Sequence, residues 1–213
     1  MKRFQLFLKR AFDIFAGSLL VLMLILIPVF IVVPIIIRAT SKGPAIFTQE
    51  RRGKNEKIFK IYKYRTMRIP EESLNENGEM LEPSERITKI GKFLRKTSID
   101  ELTQIFNVIK GDMSFVGPRP TLPYQIERYT EEQKRRHAMR PGITGLAQVS
   151  GRNNLSWTEK IEYDIKYIDN FSVWLDIKIL FKTLLVTLKS EGIEFTKQDV
   201  ITAKETEKET VTQ

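Results

Sequence analysis

Between Asp13 and Arg38 the chain runs for 24 residues, Ile14 to Ile37, without a charged side chain. As one straight helix such a run reaches about 36 Å, enough to cross a ~30 Å hydrocarbon core. It is too long for the apolar part of an ordinary signal peptide, and no small-residue cleavage site follows it. It is therefore expected to stay in the membrane. Pro28 removes a backbone donor in mid-run and clashes with the preceding turn, which predicts a bend there. Basic residues stand on both sides: Lys2, Arg3, Lys9 and Arg10 before, Arg38, Lys42, Arg51 and Arg52 after. A spanning helix gathers such residues mainly on one side. Two basic flanks fit a helix that enters, bends near Pro28 and leaves by the same face. A Pro-kinked spanning helix is the alternative on these features.

Beyond that run, the 213 residues suffice for one compact domain with appendages. With no cysteine, disulfides, thiolate catalysis and Cys-based metal sites are excluded. One histidine, His137, argues against His-rich metal sites and a Ser-His-Asp triad. The net charge of +9 suits anionic partners: nucleic acid, anionic lipid or phosphorylated substrates.

The remaining pattern predicts an α+β fold, mostly helical. Residues 1–38 form the membrane element, 39–195 the compact domain and 196–213 a flexible tail. Ala45–Gln49 and Lys57–Arg65 alternate apolar and polar residues and read as a hairpin, with Arg51–Asn55 as its turn. Ile69–Ser84 is a polar, acidic loop. Helical spacing marks Arg86–Lys96, Ser98–Ile109 with Gly111 as its stop, Pro123–Met139, and Ser172–Lys189. Met113–Val116 is a candidate short strand, and Arg140–Asn154 is glycine-rich and irregular. Ser156-Trp157-Thr158-Glu159 has the form of a capping box opening a further helix. The apolar face of Ser172–Lys189 is wide enough to lie on a bilayer or against the core, the core being the commoner fate.

Four stretches could carry chemistry. In Ser98-Ile99-Asp100-Glu101 two adjacent carboxylates would sit in a first helical turn, where free N–H groups favour their ionised forms. Ser-x-x-Glu is also a capping box, so a structural role competes with a carboxylate that attacks phosphorus beside one that holds a metal. In Gly117-Pro118-Arg119-Pro120, prolines fix the backbone around one arginine suited to clamping a phosphate; a rigid turn is the alternative. Arg140–Gly145 and Ser150-Gly151-Arg152-Asn153 are either a phosphate-approaching loop carrying Arg152 or a plain loop. Lys63 and Arg65 alternate with Tyr62 and Tyr64 on a strand, a pattern open to single-stranded nucleic acid or to a solvated face. His137, among basic neighbours, fits packing better than base catalysis.

Taken in order, these blocks resemble one family. Ser98–Leu102 followed by Phe106–Pro120 is similar to the signature of the bacterial sugar transferases, monotopic phosphoglycosyl transferases that start glycan assembly on a polyprenyl phosphate. Ile46–Gln49, Phe59–Met67, Arg140–Gly145, Gly151–Asn153, Tyr167–Asn170 and Leu175–Lys178 resemble its other blocks, so the likeness covers roughly residues 8–190. Thr103, where many members have proline, and Ile27, where a small polar residue is common before the bend, depart from the pattern.

The resemblance implies that Asp100 attacks the β-phosphate of a UDP-sugar, releasing UMP, and that the covalent sugar-phosphate then passes to undecaprenyl phosphate. Glu101 would help to hold Mg²⁺. Arg119 and Arg152, and less securely Lys63, match basic positions at the phosphate site. The resemblance also implies a re-entrant helix broken at Pro28, packed on a cytoplasmic catalytic domain with a small β-hairpin and interfacial amphipathic helices, at the inner membrane. Expected partners are a UDP-sugar, the polyprenyl phosphate and membrane lipids, with no nucleic acid; a homo-oligomer stays open. A membrane-anchored basic domain that binds nucleic acid or anionic lipid is the rival, and it leaves the acidic pair unexplained.

Overall fold

The computed structural model describes residues 2–26, 29–151 and 155–188. Pro28, Arg152 and the tail at 196–213 lie outside them. The fold is α+β and mostly helical, with two small two-stranded sheets.

Helix α1 (Lys2–Leu26) is built the opposite way from a helix of a water-soluble protein. Its buried positions are Lys9, Asp13 and Gly17, spaced by four residues on one face. Phe4, Phe7, Phe12, Phe15, Leu19 and Leu22 are exposed. The buried charges are all engaged. Lys9 donates to the Val116 carbonyl at 2.8 Å and to Asp176 at 2.6 Å. Asp13 accepts from the Phe115 N–H at 3.1 Å, and Arg10 caps the Val108 and Ile109 carbonyls. Helix α2 (Val29–Thr40) contains a second proline, Pro34, and buries Val33 and Ile37 one turn apart. No helix among the described residues is long and apolar enough to cross a membrane.

Both helices land on the same short element. A Cβ built on Gly17 would lie 3.1 Å from the Ile109 side chain, and the Phe30 ring is centred 5.4 Å from that of Phe106. Ile109 and Phe106 belong to one six-residue helix, Ile105–Lys110, so α1 and α2 both pack on it.

Strands β1 (Ile46–Arg52) and β2 (Ile58–Tyr64) form an antiparallel hairpin with Phe47 opposite Lys63 and Arg51 opposite Phe59. β1 runs past the turn expected at Arg51, because the Arg52 N–H finds a further acceptor in the Thr121 carbonyl at 2.8 Å. Instead, a 3₁₀ turn at Lys54–Glu56 reverses the chain. Arg65 lies beyond β2 and donates to the carbonyls of Ser41, Lys42 and Gly43, so it fastens the exit of α2 rather than sharing a strand face with Lys63. The loop after β2 holds a 3₁₀ turn (Pro70–Glu72) and an isolated bridge between Leu74 and Met80.

One helical turn, α3 (Pro83–Arg86), precedes α4 (Lys89–Lys96), which starts later than expected because the Thr88 hydroxyl caps Gly91 N–H at 2.9 Å. A 3₁₀ turn (Ile99–Gln104) then leads into α5 (Ile105–Lys110), and Gly111, at φ 96°, stops it as expected. β3 (Ser114–Val116) pairs in parallel with β4 (Gly142–Thr144).

Pro123–Met139 is not one helix: it breaks into a 3₁₀ turn (Pro123–Arg128), α6 (Glu131–Lys134) and a second 3₁₀ turn (Arg135–Ala138). Tyr129 is extended there, its ring buried, and the Thr130 hydroxyl restarts the helix by accepting from Gln133 N–H. After α7 (Leu146–Ser150), the capping box at Ser156 and Glu159 opens α8 (Trp157–Asp169) as expected. Helix α9 (Val173–Leu188) bears out the core packing on one side only: Ile179 is fully buried in a cluster with Leu175 and Leu180 against it, while Trp174, Ile177, Phe181, Leu184 and Leu185 are exposed.

Candidate active site

Ser98 sits in the left-handed region at φ 56° and makes no side-chain cap bond. The Ser-x-x-Glu capping box therefore does not form. A 3₁₀ turn entered from that conformation does not present the hydroxyl to the following N–H groups. Glu101 reaches a cation instead: Lys63 Nζ on β2 donates to its Oε1 at 2.6 Å. Glu101, Lys63 and Arg119 line one cleft with Arg51, Ile61, Gln104, Pro120, Gly142 and Ile143. Asp100, buried at 9% exposure, adjoins this group without lining the cleft.

The two neighbouring carboxyls are pushed apart. Burial raises that of Asp100, the charge on Glu101 adds to this, and Lys63 and Arg95 only partly offset it, leaving it at about 6. Burial acts on Glu101 too. There, however, Lys63, Arg119 and a hydrogen bond from Gln104 outweigh it and hold the carboxyl at about 2. Adjacent carboxyls with separated ionisation divide labour. Glu101 is a fixed anion, while Asp100 is a more basic, more nucleophilic carboxylate that is still largely ionised at neutral pH.

The segment that carries Arg119 is held by its backbone. Gly117 N–H donates to the Thr144 carbonyl and Gly142 N–H to the Pro118 carbonyl, both at 2.9 Å. The two strand ends meet so closely that a Cβ on Gly142 would lie 2.1 Å from Gly117 N. Here the glycines serve backbone packing. Arg136 donates to the Arg119 carbonyl at 3.2 Å and is paired with Asp164; the two side chains are 2% and 1% exposed. Tyr129 and Trp157 flank the Arg136 guanidinium at 5.7 and 5.5 Å. His137 is buried beside this cluster, stacked on Tyr129. Burial first and Arg136 second lower its imidazole to about 4, and its Nδ1 lies 3.2 Å from the Gly53 carbonyl. That is a packing role, as its sequence context indicated.

The structure thus brings Asp100, Glu101, Lys63 and Arg119 together. Arg152 and Pro28 lie outside the described residues. Sequence reasoning missed Arg51 and Gln104. Extending the strand alternation from Phe47 through Gln49 would have put Arg51 on the face of Lys63. No group of three or more metal-binding side chains exists among the described residues. Mg²⁺ needs less than that, since one or two carboxylates with substrate phosphates commonly complete its shell. Asp100 and Glu101, hard oxygen donors beside an anion-attracting cleft, fit that requirement.

Residues 4–190 match the family model described as bacterial sugar transferase. The uncharacterized sugar transferase EpsL of Bacillus subtilis is 46% identical over 189 residues, covering 89% of this chain and 91% of that protein. The galactosyl transferase CpsE of Streptococcus agalactiae is 47% identical over 199 residues, and the undecaprenyl-phosphate galactose phosphotransferase of Salmonella typhimurium 39% over 206. These cover 88% and 90% of this chain, which spans only 44% and 42% of their lengths. The signature blocks that meet at the cleft lie inside the matched region, and the chain belongs to the bacterial sugar transferase family.

Proposed function

We propose that the chain, a phosphoglycosyl transferase by family, moves a sugar-1-phosphate from a UDP-sugar to a polyprenyl phosphate, as the first membrane step of a glycan assembly. The observation that carries this is the convergence, from three separate elements, of Glu101, Lys63 and Arg119 at one cleft, with Asp100 adjoining it. In the first step an Asp100 oxygen forms a bond to the β-phosphorus. The bond from that phosphorus to the bridging oxygen breaks, and UMP leaves with the electron pair. In the second, an oxygen of the polyprenyl phosphate bonds to the same phosphorus and the aspartyl oxygen departs as carboxylate. A nucleophilic carboxylate lets a water-soluble donor and a lipid acceptor react in turn at one place. Lys63 and Arg119 counter the phosphate charge, and Lys63 keeps Glu101 ionised. Asp100 and Glu101 would hold Mg²⁺, which when bound neutralises pyrophosphate charge and aids UMP departure.

The membrane reading follows the same geometry. Helices α1 and α2 both pack on α5, and many apolar side chains of α1, α2 and α9 face outward. These features favour a re-entrant element dipping into the cytoplasmic leaflet of the inner membrane, with α9 at the interface. The names of the relatives carry galactose, glucose and N-acetylgalactosamine, which defines the donor panel.

Purified chain, polyprenyl phosphate, Mg²⁺ and that panel of UDP-sugars should release UMP. Asp100→Asn should lower release by at least about 10³-fold, roughly 4 kcal/mol of barrier. Transfer persisting in the variant would refute Asp100 as nucleophile, and no UMP from any donor would refute the reaction. The cysteine-free chain also permits a topology test: single cysteines at Lys2 and Lys42 should label from the same membrane side, whereas opposite sides would mean a crossing.

A further inference from the structure

The cleft is not electrically balanced. Among the described residues, Arg51, Lys63 and Arg119 face it, against Glu101 as its one lining carboxylate. Glu101 accepts from Lys63 at 2.6 Å and its single charge also acts on Arg51 and Arg119, so one carboxylate is shared among three cations. Arg51 is the most unusual of them. Its Nη2 donates to Gln49 Oε1 at 2.6 Å, which fixes the fork, while its buried Nε has no hydrogen-bond partner among the described residues. Burial and then the like charge of Arg119 push its guanidinium down to about 10. Two cations held near each other, one of them with a buried donor to spare, are costly unless an anion joins them. A phosphomonoester carries up to two negative charges at neutral pH and matches the surplus.

Resting on the two-step reading above, we propose that Arg51 and Arg119 form a single phosphomonoester subsite that is occupied twice in each catalytic cycle. In-line displacement at phosphorus places the entering and leaving oxygens on opposite sides. When Asp100 attacks, the phosphate of UMP departs from the side opposite Asp100. When the polyprenyl phosphate then attacks, it must enter opposite the aspartyl oxygen, from the place UMP has left. The same pair of guanidinium groups receives the charge of the departing phosphate and then orients the incoming one. Arg51, at the end of β1, therefore contacts both substrates, although it belongs to neither the acidic pair nor the Gly-Pro-Arg-Pro segment.

The test uses full-length protein carrying Asp100→Asn, in lipid nanodiscs, so that binding is read without chemistry. UMP binding by calorimetry should weaken at least tenfold on adding Arg51→Gln, and Arg51→Lys should restore part of the loss, because it keeps the charge without the fork. Polyprenyl phosphate should displace UMP competitively in the protein that retains Arg51, a readout independent of how well the Arg51 variants fold. Unchanged UMP affinity in a folded Arg51→Gln protein, simultaneous binding of both ligands, or no UMP binding at all would overturn the shared subsite. None of these results bears on whether wild-type protein forms the aspartyl adduct, so the subsite can fail while the transfer reaction stands.

Discussion

Two ion pairs bear on Arg119, and they are built to different ends. Arg136 and Asp164 are sealed: both are almost fully buried, aromatic rings flank the guanidinium, and it donates further to the Tyr129 hydroxyl and the Arg119 carbonyl. Lys63 and Glu101 keep side-chain exposures of 23% and 26%, and their cleft holds more positive than negative charge. The sealed pair is closed to solvent and holds a backbone in place, although Arg136 Nε and Asp164 Oδ1 have no hydrogen-bond partner among the described residues. The open pair faces a cleft with more cations than carboxylates, and burial raises Asp100 beside it to about 6, as it does Asp164 in the sealed pair. What separates the two is neither the presence of charge nor a raised carboxyl but whether the charged groups stay open to a ligand.

Breaking the sealed pair should have the largest effect on stability. Arg136→Met strands a buried carboxylate, and such losses run to about 3–5 kcal/mol. The double change Arg136→Met with Asp164→Leu should recover most of that in denaturant melts. A single variant melting like wild type would mean that the pair is not the anchor described.

The open site should respond in the opposite sense. A carboxyl raised from 3.8 to about 6 binds more protons folded than unfolded, so stability falls as pH rises through that window. Above it the full penalty applies, about 3 kcal/mol at 1.36 kcal/mol per unit. Asp100→Asn should therefore stabilise the protein by up to about 3 kcal/mol near pH 7.5 in the presence of EDTA, and by nothing below about pH 4. Equal melting of the two proteins at both pH values would remove the claim that Asp100 is held under tension.

A smaller effect is expected from Lys63→Gln, about 1–2 kcal/mol of stability for one charged hydrogen bond. Lys63 lowers both Asp100 and Glu101, so in this variant the acid limb of UMP release should move to higher pH. An unmoved limb would detach Lys63 from the pair.

Much of this was legible in the residues. The hairpin, the α8 capping box, the Gly111 stop and the convergence of Lys63, Glu101 and Arg119 follow from local pattern or resemblance. What failed was decided by distant partners. Ser98-x-x-Glu101 has the letters of a cap, but a lysine 38 residues away in sequence competes for the glutamate and wins. Pro123–Met139 has helical spacing, yet Tyr129 is drawn out of it to pack beside Arg136. Arg51 was hidden by a turn assigned two residues early, since the pairing of Arg52 with Thr121 leaves no local mark. In α9, periodicity revealed an apolar face without saying what would cover it.

The central claim is that the Asp100 carboxylate becomes covalently joined to the sugar-phosphate. It is tested most directly by intact-protein and peptide mass spectrometry of wild-type chain given a reactive UDP-sugar and Mg²⁺ but no acceptor. The account predicts a mass increase of one sugar-phosphate, mapped to Asp100 and discharged on adding polyprenyl phosphate. An unmodified Asp100 under conditions where UMP and lipid-linked product still accumulate would contradict it.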